Sequence, residues 1–243
     1  MTTVIDPHDA RAIAATEAIR SGEPDLLGQL LADHPELAAA TIGTEGSTRT
    51  LMHVATDWPG HYPRVAATIA TLIGAGADVN GRASGPHTET PLHWAASSDD
   101  VDALDALLDA GADIEAHGAV IAGGTPLDDA VAFGQWHAAR RLVERGAYVS
   151  LFNAAALGQL DRAQDHLANN PPPADITAAF WAACHGGQRR TAERLLALGA
   201  DLNRVPDFTD RSPLDIAGRP DTRRGTLVDW LRERGARPAP GVG

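Results

Sequence analysis

The feature that most restricts what this chain can fold into is a near-repeat of about 35 residues. Four segments end alike: Gly74-Ala75-Gly76-Ala77-Asp78-Val79-Asn80, Ala110-Gly111-Ala112-Asp113-Ile114-Glu115, Arg145-Gly146-Ala147-Tyr148-Val149 and Leu198-Gly199-Ala200-Asp201-Leu202-Asn203. Arg234-Gly235-Ala236 closes the series, and the intervals between Gly76, Gly111, Gly146, Gly199 and Gly235 are 35, 35, 53 and 36 residues. A second signature keeps step with the first: Thr50-Leu51-Met52-His53, Thr90-Pro91-Leu92-His93, Thr125-Pro126-Leu127-Asp128 and Ser212-Pro213-Leu214-Asp215. Thr or Ser before Pro reads as a helix N-cap followed by the one helical position where Pro costs nothing. Apolar stripes at helical spacing follow, first Val65, Ile69, Leu72 and Ile73, then Val101, Leu104, Leu107 and Leu108. The Gly after each stripe suits a left-handed helix end. One such short helix pair cannot bury its own stripe, so neighbouring pairs must stack to make a core.

The T-P-L-H start and the G-A-D-V-N ending together resemble the ankyrin repeat, over nearly the whole chain. The resemblance implies an all-α solenoid of stacked helix-turn-helix units, with short hairpin finger loops and helical caps. It implies a recognition surface made of finger tips and the exposed ends of first helices. It also assigns His53 and His93 to hydrogen bonds between repeats. Residues 8–45 read as an N-terminal helical cap, 46–237 as the repeats and 238–243 as a disordered tail. Asp9 to Arg20 and Pro24 to Ala32 form the cap's helix pair; at the other end Leu227, Val228, Trp230 and Leu231 face inward.

The repeat is irregular at about 150–175. A shortened helix pair from Leu151 to Ala168 is followed by Asn169-Asn170-Pro171-Pro172-Pro173, with little room for a finger between Val149 and Asn153. The next unit, from about Ile176, has Phe180-Trp181-Ala182-Ala183 where the T-P-L-H start would stand. The break reads either as a decayed repeat or as a change of curvature that deepens the groove.

Composition narrows the functions open to such a scaffold. All 20 basic residues are Arg, which excludes a P-loop lysine, a Schiff base and a Ser-Lys dyad. The net charge of −12 argues against nucleic acid as partner. One cysteine, Cys184, excludes an internal disulfide and a multi-Cys zinc site, and its Ala-rich surroundings suggest a small buried residue. No signal segment or membrane-spanning run is visible, so a cytoplasmic location is expected. The Lys-free, Ala-, Gly-, Arg- and Pro-heavy composition suggests a GC-rich genome, and the chain looks like bacterial ankyrin proteins.

Polar and aromatic residues collect on the surface the resemblance marks out. Asp57, Trp58 and His61 come from the first full repeat; His87, Thr88 and Glu89 from the next finger; Ser97, Ser98, Asp99 and Asp100 from the following helix end. The third repeat adds Ile121 to Gly124 on its finger, then Phe133, Gln135 and Trp136, and the fifth adds Trp181, His185 and Gln188. With Trp94 these form an acidic and aromatic groove for a protein or peptide partner, attracted by Asp57, Glu89, Asp99 and Asp100. The same groove also suits a small organic ligand, or a cofactor-independent isomerase, lyase or hydrolase using Asp57, Glu89 and His185 as acid and base. Trp94 has a competing role in the core, and no metal or cofactor is expected.

Overall fold

Helices start where the cap motif places them in the computed structural model, which describes residues 3–44, 46–120, 123–219 and 225–241. The chain divides into two units, 1–147 and 148–243, described separately below. The first unit opens with β1 (Val4–Ile5), α1 (Ala10–Ser21), α2 (Pro24–Asp33), α3 (Glu36–Ala39), β2 (Thr41–Thr44) and β3 (Ser47–Thr50). It continues with α4 (Leu51–Thr56), α5 (Val65–Gly74), α6 (Pro91–Ser97), α7 (Val101–Asp109), α8 (Pro126–Phe133) and α9 (Trp136–Glu144). The second unit holds α10 (Leu151–Leu157), α11 (Leu160–Ala168), α12 (Pro173–His185), α13 (Arg189–Ala197), α14 (Pro213–Ala217) and α15 (Gly225–Glu233).

In the first unit, short first helices pack in a row, α4 on α6 and α6 on α8, while second helices α5, α7 and α9 form the outer row. Small side chains allow the close inner approach: Ala55, Ala95, Ala96 and Ala130 are fully buried. The apolar stripes close the space between rows through Val65, Ile69, Leu72, Leu104 and Leu107. Thr50, Thr90 and Thr125 each accept from the backbone three residues on, and that residue's side chain returns to the cap N–H.

The N-terminal segment is not wholly helical. β1 pairs in parallel with β2, and β2 pairs antiparallel with β3. Thr48 and Ser84 then exchange backbone hydrogen bonds of 3.1 and 2.9 Å, and the Ala83 N–H donates to Glu89 O at 2.9 Å. The sheet thus continues into the finger of residues 82–89. Ile121 and Ala122, expected on the next finger, lie outside the described residues.

In the second unit, α12 packs on α10, α13 and α14. The short pair appears where expected, with Ser150 capping α10 and no finger before it. The proline run enters the next helix itself: Pro172 is the cap and Pro173 the first residue of α12. Phe180-Trp181 therefore lies inside a longer first helix, not at a helix start. Composition predicts disorder from residue 238, yet Ala239 is buried and its N–H donates to Asp215 Oδ2 at 2.7 Å. Arg237 N–H likewise donates to Asn203 Oδ1 at 2.8 Å, so the chain is tied down as far as Ala239, while 242–243 lie outside the described residues.

A common rule emerges at the carbonyl just before a first helix. His53 Nδ1 faces the Thr50 N–H at 3.3 Å and must accept there, which leaves Nε2–H to donate to Glu89 O at 3.1 Å. His93 repeats the arrangement between the Thr90 N–H (3.1 Å) and Gly124 O (3.3 Å). In the second unit the indole N–H of Trp181 donates to Arg211 O at 2.9 Å, and His166 Nε2–H donates to Val149 O at 2.8 Å. Each accepting carbonyl immediately precedes a cap residue, Thr90, Thr125, Ser212 or Ser150. Trp181 stands seven residues before Gln188, as His93 stands seven before Asp100, so it occupies the histidine register.

Candidate functional site

The first unit contains a cavity of about 360 Å³ on the finger side, bounded by the sheet and the finger that extends it. Pro7, Ile42 and Pro86 give it apolar walls; Thr48 and Ser84 add hydroxyls; Arg49, His87, Glu89 and Trp94 bring charge and aromatic surface. Glu89 is fixed from two sides, because its carbonyl accepts from both Ala83 N–H and His53 Nε2–H. Its side chain then reaches Trp94, whose indole N–H donates to Oε2 at 3.3 Å. Trp94 in turn meets the His53 ring edge-on, with centroids 4.9 Å apart. One side of this indole packs in the repeat stack while the ring also lines the cavity, so its core and site roles coincide.

Asp129 on α8 is close enough to Glu89 to act on its ionisation. Asp129 is fully buried and occupies the position in its repeat that Trp94 holds in the one before, the fourth residue after the cap. Burial pushes the Glu89 carboxyl above its ordinary range, opposed by the Trp94 N–H bond and by nearby Asp129 and His87.

The predicted residues separate on inspection. Glu89, His87 and Trp94 share the cavity. Asp57 joins it only through Arg49, whose Nη1 donates to Asp57 Oδ2 at 2.8 Å; Arg20 lies 3.4 Å from the same oxygen. Trp58 is 76% exposed and, with exposed His61, lies in the loop between α4 and α5, away from the cavity walls. Ser97 is half-buried, its hydroxyl donating to Trp94 O at 3.1 Å. Phe133 is exposed and Trp136 half-buried at the turn between α8 and α9.

Other expectations are corrected. Ser98 is buried beneath the loop at Gly60. Asp99 is a tie between repeats, accepting from Ala138 N–H and His137 Nδ1, each at 2.8 Å. Asp100 is fully buried and accepts from His61 N–H at 2.6 Å and Ala103 N–H at 3.0 Å, so neither acid supplies an open field. Trp181 is 1% exposed, stacked near Phe152 and edge-on to Phe208, because α12 packs on both α10 and α14. His185 is fully buried against Trp181, which removes it from any surface acid–base pair. Cys184 is buried as read, and burial pushes its thiol up.

Arg49 and Asp129 were missed. Aligning repeats by cap would have flagged Asp129, an acid at the Trp94 position; Arg49 had no signal beyond its place before Thr50. Among the described residues, no three His, Cys, Asp or Glu side chains group as metal ligands, and no helix is long and apolar enough to cross a membrane.

Comparison with known proteins agrees with this architecture. Residues 64–153 match the family model for ankyrin repeats in three copies. The fold is similar to the crystal structure of the human ASB11 ankyrin repeat domain, with a TM-score of 0.50 and 21% identity over 93% of this chain and 99% of that one. No curated protein sequence matches the chain.

Proposed function

The chain is an ankyrin-repeat protein, and from that premise we propose that its first unit binds a basic segment of a protein partner at the Glu89–Trp94 cavity. Repeat stacks of this kind present extended surfaces to other proteins. The observation that carries the reading is where the charge lies. Residues 1–147 hold 21 acidic side chains against eight Arg, whereas residues 148–243 hold 11 against 12. A field of that sign draws in basic partners, and the half-buried Glu89 beside an indole suits a guanidinium or ammonium at close range. Asp57, Asp99 and Asp100 are held by protein donors and are not the contact that the cation meets.

The test uses an oligo-arginine peptide and the full chain. Glu89→Gln should weaken binding by about tenfold or more, the loss expected when one close charge contact goes. Asp102→Asn removes the same charge from exposed outer helix α7 and should change affinity little. Equal losses from both substitutions would reduce the interaction to diffuse attraction and overturn the assignment to the cavity.

A second reading, a small organic ligand, rests on cavity size, since about 360 Å³ lies within the usual range of such pockets. It would be favoured if a small organic compound raised the melting temperature of the wild type, but not of Glu89→Gln, while oligo-arginine left both unchanged.

A further inference from the structure

The cavity carries a guanidinium and a carboxylate that do not pair with each other. Arg49 and Glu89 both line it, yet no contact among the described residues joins them. The sheet holds them apart. Ile42 stands opposite Arg49 in the β2–β3 register, and Thr48 pairs antiparallel with Ser84, which brings Arg49 alongside Ala83 at the next step. Ala83 N–H then donates to Glu89 O at 2.9 Å. Arg49, Ala83 and Glu89 thus make a row across the strands, the outer two separated by two backbone spacings of about 4.8 Å each. All three line the cavity, and the middle position brings only a methyl group.

Neither charge is spent inside the protein. Arg49 gives Nη1 to Asp57 Oδ2, but Arg20 shares that oxygen, so two guanidiniums face one carboxylate and the trio stays net positive. Nε and Nη2 of Arg49 have no partner among the described residues, and the side chain is 37% exposed. Beside it the Thr48 and Ser84 hydroxyls bond to each other at 2.7 Å, which uses one hydroxyl proton and leaves the other to donate. A planar guanidinium fork with a hydroxyl donor next to it suits a carboxylate. The opposite end, Glu89 with Trp94, suits a cation.

We infer that the cavity reads the carboxyl-terminal basic residue of its partner, with the side-chain cation at Glu89 and the terminal carboxylate at Arg49. This rests on the cavity being the partner site. A volume of about 360 Å³ is at the small end for ligand sites, room for one residue rather than a run of them. Within a protein, only the last residue carries both a basic side chain and its own main-chain carboxylate. In an extended arginine the two lie roughly 7 Å apart along a zigzag of six bonds, the same order as the backbone spacing between Arg49 and Glu89.

The experiment titrates the full chain with a Gly/Ser peptide ending in one arginine, as the free acid, as the amide, and with two serines added after the arginine. The free acid should bind about tenfold or more tightly than the other two, the worth of one charge-assisted contact. Arg49→Gln should weaken the free acid by a similar factor and leave the amide unchanged; a merely structural role for Arg49 would weaken both alike. Glu89→Gln should weaken all three. Equal affinity for free acid and amide in the wild type, a comparison that needs no variant, overturns the inference; if Glu89→Gln still weakens both, the cavity reading stands. Free arginine binding as tightly as the peptide overturns the chain-end assignment in favour of a small ligand. Failure of every peptide to bind, or affinity unchanged in Glu89→Gln, overturns the cavity reading and this inference with it.

Discussion

At the scale of single residues, ring N–H groups keep the fingers in register, and they make stability depend on acid. His53 and His93 are buried and neutral, pushed down from 6.5 to about 4, with desolvation as the main cause. In the unfolded chain both protonate near 6.5, so as pH falls the unfolded state takes up protons first. Stability is complete above about pH 6.5 and drains between there and about 4, by roughly 3 kcal/mol per histidine at the low end. Glu89 acts in the opposite sense, because its raised carboxyl favours the fold below its ordinary range and loses that benefit as pH rises. Urea midpoints measured from pH 7 to pH 4.5 should therefore fall, and a flat profile would mean that the two rings are not buried neutral. Trp181→Phe should cost about 1–3 kcal/mol, since it leaves Arg211 O without its indole donor. His53 and His93 were legible because the motif names them. Trp181 was not: an indole is an equally good surface anchor or buried donor until the neighbouring helices are in place.

At the scale of elements, close approach between helices decides which glycines matter. Gly186 ends α12 with an ordinary helical backbone, but a Cβ there would run into the backbone of Ala156 on α10. Gly74 ends α5 with open space around it. Gly186→Ala should destabilise by about 1–3 kcal/mol, whereas Gly74→Ala should stabilise by about 0.5–1 kcal/mol. Denaturant titration of the two variants checks this, and similar effects would mean that α10 and α12 do not meet so closely. Helix positions were readable because caps and apolar spacing are local signals. The small sheet was not, since β1 and β2 are joined by three helices and a two-residue strand has almost no pattern of its own. That gap matters for the site: Ile42, Arg49 and the other strand residues form half of the cavity wall.

At the scale of the whole chain, the proposed binding surface is placed on the first unit because the acidic excess lies there. Because the attraction is largely electrostatic, affinity for a basic peptide should fall as salt rises from low to physiological ionic strength. The acidic excess was visible in composition, but its concentration in residues 1–147 became meaningful only once the unit boundary was known. A rival acidic surface exists on the outer row, a cleft of about 370 Å³ near Asp102, Asp105 and Asp109. Hydrogen exchange on the full chain with and without bound oligo-arginine separates the two. Protection of the backbone at 42–49 and 83–89 is the result expected here; protection confined to α5 and α7 would contradict it.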